Sequence, residues 1–278
     1  ATIDPRTGAV KAIYGGRDFL KHEYNNATRA RAQAGSTFKP FALVAGLEEG
    51  ISLKTRFNGN TGQTFEEYQR PVVNFDSRQW GQVDLLTATA NSINTVYVAL
   101  NIEVQPKKTK EVAVRAGIPD EDEAGLDTNV SNVLGTASLH PIDMAAAYAT
   151  FADQGVRHDR YVVQNVTGAF EFDAKDKGGL EGKRVFKKDV MADAVYAMQQ
   201  VVERGSGAYA RGLGRPVAGK TGTSTSNRSA WFVGFTPQLS TAVALFRPTK
   251  DGKGMDKLGS LGGRSQITGG SLPVEIWT

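Results

Sequence analysis

Residues 217–246 read VAGKTGTSTSNRSAWFVGFTPQLSTAVALF, and three segments of this stretch, 217–223, 230–235 and 240–246, read as β-strands close in sequence. The links between them are too short to hold a crossover helix, so the strands are expected to pair as antiparallel neighbours. The first run carries Lys220-Thr221-Gly222-Thr223. At a strand edge, a lysine and two hydroxyls offer a cation and two donors to a carboxylate, and Gly222 leaves room for a peptide backbone to come close. That combination suits a receptor for a peptide C-terminus. The same lysine completes a formal phosphate-loop pattern, Gly214 to Thr221. A phosphate loop opens a helix, however, and residues 222–229 (GTSTSNRS) have no apolar helical period, so the pattern does not describe a nucleotide site.

Upstream of this stretch the chain turns helical. Residues 141–152 (PIDMAAAYATFA) and 188–203 are predicted helices, with Gly155 and Gly205 just past their ends. Two shorter helical pieces, 83–90 and 95–104, are split by Asn91-Ser92-Ile93-Asn94. Residues 36–49 carry apolar side chains at Phe38, Phe41, Leu43, Val44 and Leu47, with Gly50 as a stop and Pro40 tolerable in the first turn. Residues 1–16 read as a hairpin around Asp4-Pro5-Arg6-Thr7-Gly8, and 55–82 as turn-rich and polar. The stretch 252–270 holds seven glycines and reads as a long mobile loop before 272–278 closes the chain. There is no internal repeat.

Two further clusters bear on chemistry. In Ser36-Thr37-Phe38-Lys39 a serine at a helix start is followed one turn later by a lysine on the same face. A serine hydroxyl is a weak nucleophile until a base removes its proton, and a lysine serves once its pKa falls from about 10.4 towards 7 or 8. The helix N-terminus would also favour an oxyanion. In Ser92-Ile93-Asn94, alternation on a short extended loop would put a proton-relaying hydroxyl and an amide on one side. Taken singly, each has an ordinary explanation: a capping serine with an exposed lysine, and a turn in which Ser and Asn bond local backbone.

Composition narrows the field. With 278 residues, 40% hydrophobic and 22% charged, the chain can build a sizeable core, and it has no apolar run long enough to suggest a membrane span. It contains no cysteine, which removes disulfides, thiolate metal sites and cysteine nucleophiles, and fits an oxidising compartment without fixing one. A net charge of +4 suits an anionic polymer or membrane surface and equally a solvated lysine-rich surface. His22, His140 and His158 lack metal-ligand spacing, and no G-x-S-x-G elbow is present, so a Ser-His-Asp hydrolase and a metal site have no support. The chain begins at Ala1 without a signal-like segment, and is expected to be a fragment of a longer protein.

In order, Ser36-x-x-Lys39, Ser92-x-Asn94 and Lys220-Thr221-Gly222 match the set of motifs shared by penicillin-binding proteins and serine β-lactamases. The surroundings resemble the transpeptidase domain of bifunctional, class A penicillin-binding proteins. The likeness is carried by residues 34–40 (AGSTFKP), 144–155 (MAAAYATFADQG), 219–223 (GKTGT) and 231–237 (WFVGFTP), and it covers essentially the whole chain. It implies an α/β fold: a five-stranded antiparallel sheet flanked by helices, with a mostly helical subdomain of about residues 51–210 inserted in it. It implies a D,D-transpeptidase with Ser36 as nucleophile, Lys39 as base, Ser92 relaying the proton and Lys220 in the catalytic set. Asn94, Thr221, Gly222 and Thr223 would bind substrate, and the backbone N–H groups of Ser36 and Thr223 would form the oxyanion hole. Partners would be peptidoglycan stem peptides ending in D-Ala-D-Ala and β-lactams, with no cofactor, metal or nucleic acid. A membrane anchor and a glycosyltransferase domain would lie upstream, placing this domain on the extracytoplasmic face of a bacterial membrane. A β-lactamase, a D,D-carboxypeptidase and a non-catalytic β-lactam sensor are the alternatives. Two departures from the family pattern are Gly205-Ser206-Gly207, where Gly-Thr-Gly is common, and Ser229, where an acidic residue is common.

Overall fold

The computed structural model describes residues 1–18, 20–21, 23–168, 171–174, 180–249 and 254–278, so His22 and glycine-rich residues 252 and 253 lie outside the described residues. The main sheet runs Ala218–Thr223, Ser229–Phe235, Ser240–Pro248, Thr2–Ile3, Val10–Ala12, each strand antiparallel to the next. The three strands expected from 217–246 are therefore neighbours, and the N-terminal hairpin completes the expected five-strand path. Met255–Asp256 adds a short sixth strand beside Arg247 and Pro248.

The Ser229–Phe235 strand is buried along its whole length, because both faces of the sheet are covered. Alternation splits its side chains. Trp231, Val233 and Phe235 enter the main core, while Phe232 joins Val202, Ala210, Val217 and Val274 on the opposite side. The described residues form seven α-helices, α1 (Lys39–Glu48), α2 (Leu85–Asn91), α3 (Asn94–Val104), α4 (Pro106–Ala116), α5 (Pro141–Ala152), α6 (Lys188–Glu203) and α7 (Leu272–Trp277), of which α5, α6 and α7 pack on the main sheet. Helix α1 is buried from Lys39 to Gly46 and packs against α3, α4 and α6. Phe38, Phe41, Tyr148, Phe151 and Phe186 form a chain of edge and tilted ring contacts with centroids 4.9–6.3 Å apart. Burying each such side chain stabilises the fold by about 1.5–3 kcal/mol. This apolar mass anchors the start of α1.

Several boundaries differ from the sequence expectation. Ser36 is not in the α-helix; it lies in a 3₁₀ turn, Gly35–Phe38, and α1 starts only at Lys39, with Pro40 in the first turn where its missing N–H costs nothing. Val83 pairs across to Phe57 as strand, and α2 begins after Asp84, whose carboxylate accepts from the Thr87 N–H at 2.7 Å as an N-cap. Helix α4 was not anticipated, nor was α7. Residues 254–270 are not a free loop: Leu258 N–H donates to Asn227 O at 2.8 Å and Gly269 N–H to Thr223 Oγ1 at 3.1 Å.

Candidate active site

The start of α1, the α2–α3 junction and the Ala218–Thr223 strand meet at one point. Lys39 and Lys220, both fully buried, point their amines at the same hydroxyl: Lys39 Nζ lies 3.2 Å and Lys220 Nζ 2.8 Å from Ser92 Oγ. Lys39 also donates to Ser92 O and to Asn94 Oδ1, each at 2.7 Å, and Lys220 to Thr221 O at 3.0 Å. Asn94 Nδ2 in turn donates to Val73 O at 2.7 Å, which fixes the direction of its amide.

Two buried ammonium groups a hydroxyl apart are electrostatically costly. Burial, and then the charge of Lys220, hold the Lys39 amine well below the usual lysine value, and burial lowers Lys220 to about 7. A neutral amine has two N–H donors and one lone pair. At Lys39 the two short bonds to Ser92 O and Asn94 Oδ1 use both donors, and the lone pair remains for a hydroxyl proton. An amine so placed has the chemistry to act as a general base.

Ser92 and Asn94 do reach one side, but not by extended alternation. Ser92 closes α2 in the left-handed region (φ 58°, ψ 41°), Ile93 is extended, and Asn94 is the first residue of α3. A left-handed non-glycine residue stores about 1–3 kcal/mol of strain, held here by the bonds to both lysines.

Ser36 stands on the 3₁₀ turn immediately before Lys39, half-buried. Thr37 Oγ1 donates to Ala34 O and Tyr148 Oη to Thr37 O, both at 2.7 Å, which lock the turn. Gly35 adopts φ +56° and lies so close to the Lys220 strand that a Cβ would sit 2.8 Å from Thr223 O. A Cβ on Gly222 would sit 2.6 Å from Ala34 O. The smallness of Gly222 is thus used by the protein's own serine turn.

Strand alternation puts Lys220 and Gly222 on one face and Thr221 and Thr223 on the other, since Lys220 is registered with Val233 and Thr221 with Phe232. The cation and the two hydroxyls expected to act together therefore leave the strand on opposite faces. On the threonine face, Thr221 Oγ1 is 2.6 Å from Ser206 Oγ, and Thr223 Oγ1 accepts the Gly269 N–H, which leaves the threonine proton free to donate.

Sequence reasoning passed over Ser206 and Ser229 as local departures. Ser206 instead ties the last turn of α2 to the Lys220 strand, its N–H donating to Ala90 O at 3.1 Å while its hydroxyl meets Thr221. The buried Ser229 hydroxyl donates to Gln33 O at 2.7 Å beside the Trp231 Nε1 bond to the same oxygen. The retained hydroxyl in Gly205-Ser206-Gly207 was the available signal. His140 and His158 lie elsewhere, bonded to Ala30 O and Asp153 Oδ2. Among the described residues no cluster of His, Cys, Asp and Glu could hold a metal ion. Lys220 and Thr221 lie within a strand, not at a helix start, which disposes of the phosphate-loop pattern.

A family model described as "Penicillin binding protein transpeptidase domain" matches residues 1–263. Penicillin-binding protein 1A of Mycolicibacterium smegmatis is 35% identical over 296 aligned residues, covering 99% of this chain and 36% of the relative. Its namesake from Mycobacterium tuberculosis is 34% identical, with 99% and 34% covered. The chain thus spans about a third of the length of the curated relatives it matches. Among solved structures, the penicillin-binding protein PonA1 from Mycobacterium tuberculosis superposes with a TM-score of 0.85 at 33% identity, covering 99% of this chain and 74% of that one. The structure of PonA1 in complex with penicillin V gives 0.84 at 34% identity, with the same coverage.

Proposed function

The chain belongs to the penicillin-binding protein transpeptidase family, with its α/β fold, and we propose that it is a serine D,D-transpeptidase that cross-links peptidoglycan stem peptides through an ester on Ser36. The observation that carries this is the Lys39 amine, fully buried, its pKa lowered by burial and by Lys220, and bonded into the Ser92–Lys220 pair one turn from Ser36.

In this mechanism Lys39 Nζ takes the Ser36 hydroxyl proton as Oγ bonds to the carbonyl carbon between the two terminal D-alanines. The oxyanion rests on the backbone N–H groups of Ser36 and Thr223, where one donor is worth about 10²–10³ in rate. The C–N bond breaks as Ser92 passes a proton, drawn from Lys39, to the departing D-alanine amine. An amine of a neighbouring stem peptide then attacks the ester, its proton returns by the same route, and Ser36 is restored as the new amide leaves. Lys220 supplies positive charge and, with the Thr221 and Thr223 hydroxyls, holds the substrate carboxylate; Asn94 holds Lys39 and the substrate amide. β-Lactams acylate the same oxygen.

Residues 1–278 act as one transpeptidase unit whose helical part, about 51–210, delivers Ser92 and Asn94. Its substrate places it on the extracytoplasmic side of a bacterial membrane, with an anchor and a glycosyltransferase unit elsewhere in the whole protein. No helix among the described residues is long and apolar enough to cross a membrane. The test is partition of the acyl-enzyme. With a D-Ala-D-Ala donor and rising acceptor amine, cross-linked product is expected to rise at the expense of hydrolysis. Hydrolysis indifferent to the amine would make the protein a carboxypeptidase or β-lactamase, and an ester that never turns over would make it a sensor. Either outcome overturns the proposal.

A further inference from the structure

A second depression, about 710 Å³, begins where the site ends. Its walls include Gln33, three residues before Ser36, and Ser224, the residue after Thr223. The same lining holds Arg29, Arg31 and Arg228, with Glu123 as its one carboxylate. Arg31 is ion-paired with Glu121. Arg29 and Arg228 are exposed and have no ion-pair partner among the described residues. Unpaired guanidiniums facing one groove are planar donors shaped for carboxylates.

The Ala218–Thr223 strand is the open edge of the sheet, so an extended peptide can lie along it as a further strand. A peptide held by its terminal carboxylate at Lys220 and Thr221 leaves that edge past Thr223, into this groove. At about 3.3 Å per residue, side chains two to four residues from the reacting carbonyl fall about 7–13 Å away. We infer that the groove is a second anion subsite, in which Arg29 and Arg228 bind carboxylates of the peptide strand away from its reacting end.

This rests on Ser36 being the acylated residue, and the experiment keeps the two ideas separable. Benzylpenicillin lacks the peptide arm and reports on the reacting centre alone. The probes are the purified chain, benzylpenicillin, a D-Ala-D-Ala peptide bearing free side-chain carboxylates, and the same peptide with those carboxylates amidated. Arg29→Glu and Arg228→Glu change exposed side chains outside the catalytic set. Each is expected to raise KM for the acidic peptide about tenfold at low salt, an effect that salt weakens. Acylation by benzylpenicillin and KM for the amidated peptide are expected to stay within about twofold, as for distant surface changes. An effect on donor acylation assigns the groove to the donor strand, and an effect only on capture of the ester by an acidic acceptor amine assigns it to the acceptor. Unchanged kinetics in both arms, or an equal loss with benzylpenicillin, overturns the subsite. A failure of benzylpenicillin to label Ser36 in the unaltered protein would instead sink the proposed reaction.

Discussion

Lys39→Met is expected to slow acylation of Ser36 by about 10²–10⁴-fold, the span that a positioned general base contributes. Methionine keeps the stem's volume and apolar contacts inside the buried start of α1, but its thioether sulfur is far too weak a base to take a hydroxyl proton and has none to give. The variant also leaves Ser92 O and Asn94 Oδ1 without their donor, at a cost of about 1–3 kcal/mol each if no water replaces it. The rate is therefore to be read on protein whose near-ultraviolet circular dichroism shows it folded.

The pH dependence of stability separates the base from a merely structural lysine. Both amines have folded-state values depressed below that of the unfolded chain, Lys220 to about 7. Between that value and about 10.4 the unfolded state binds more protons than the folded one, so stability rises with pH across this window. The contribution is complete above the unfolded value and is lost as pH falls through the folded one. Lys39→Met is expected to flatten the rise measured by urea unfolding from pH 7 to pH 10. An unchanged slope with an unchanged acylation rate would show that Lys39 is an ordinary ammonium.

Gly222→Ala is the second large effect. Its new methyl would fall 2.6 Å from Ala34 O and 2.8 Å from Thr37 Cγ2, both in the turn that carries Ser36. The strand has no room to retreat, because on its other side Gly269 is so close that a Cβ there would sit 2.6 Å from Gly222 N and O. The turn and the strand must therefore part. A misplacement of about 1 Å costs on the order of 10² in rate, and overpacking about 1–3 kcal/mol in stability. Stopped-flow acylation by a chromogenic cephalosporin, with thermal unfolding alongside, checks both. A variant acylated at the native rate would mean that the contact between the turn and the Lys220 strand does not position Ser36.

Much of the architecture was legible because its signals are local. Three strand-like segments with short links point to antiparallel neighbours, and the serine, lysine and asparagine of the motifs suggest a chemistry by type and spacing. The rest depends on contacts that no local pattern encodes. Gly222 reads in the sequence as room for a substrate's approach, and no local pattern shows that Ala34, nearly two hundred residues away in the chain, also lies against it. Ser92 and Asn94 were expected on an extended segment, and only the packing of α2 against α6 and the pull of two lysines explain a left-handed serine. Helix α4 had signals that were overlooked: Pro106 at its start, Gly117 just past its end, and a narrow apolar stripe of Val112, Ala113 and Ala116 in an otherwise polar run. Ser206 was dismissed because it departs from a pattern, although its hydroxyl is the part that meets Thr221.

The most direct measurement is the site of penicillin attachment. Folded protein is incubated with benzylpenicillin, digested, and its adduct located by peptide mass spectrometry. A single adduct on the peptide containing Ser36, absent from Ser36→Ala, is the predicted result. An adduct on any peptide without Ser36, one that persists in Ser36→Ala, or none on folded protein would contradict the account.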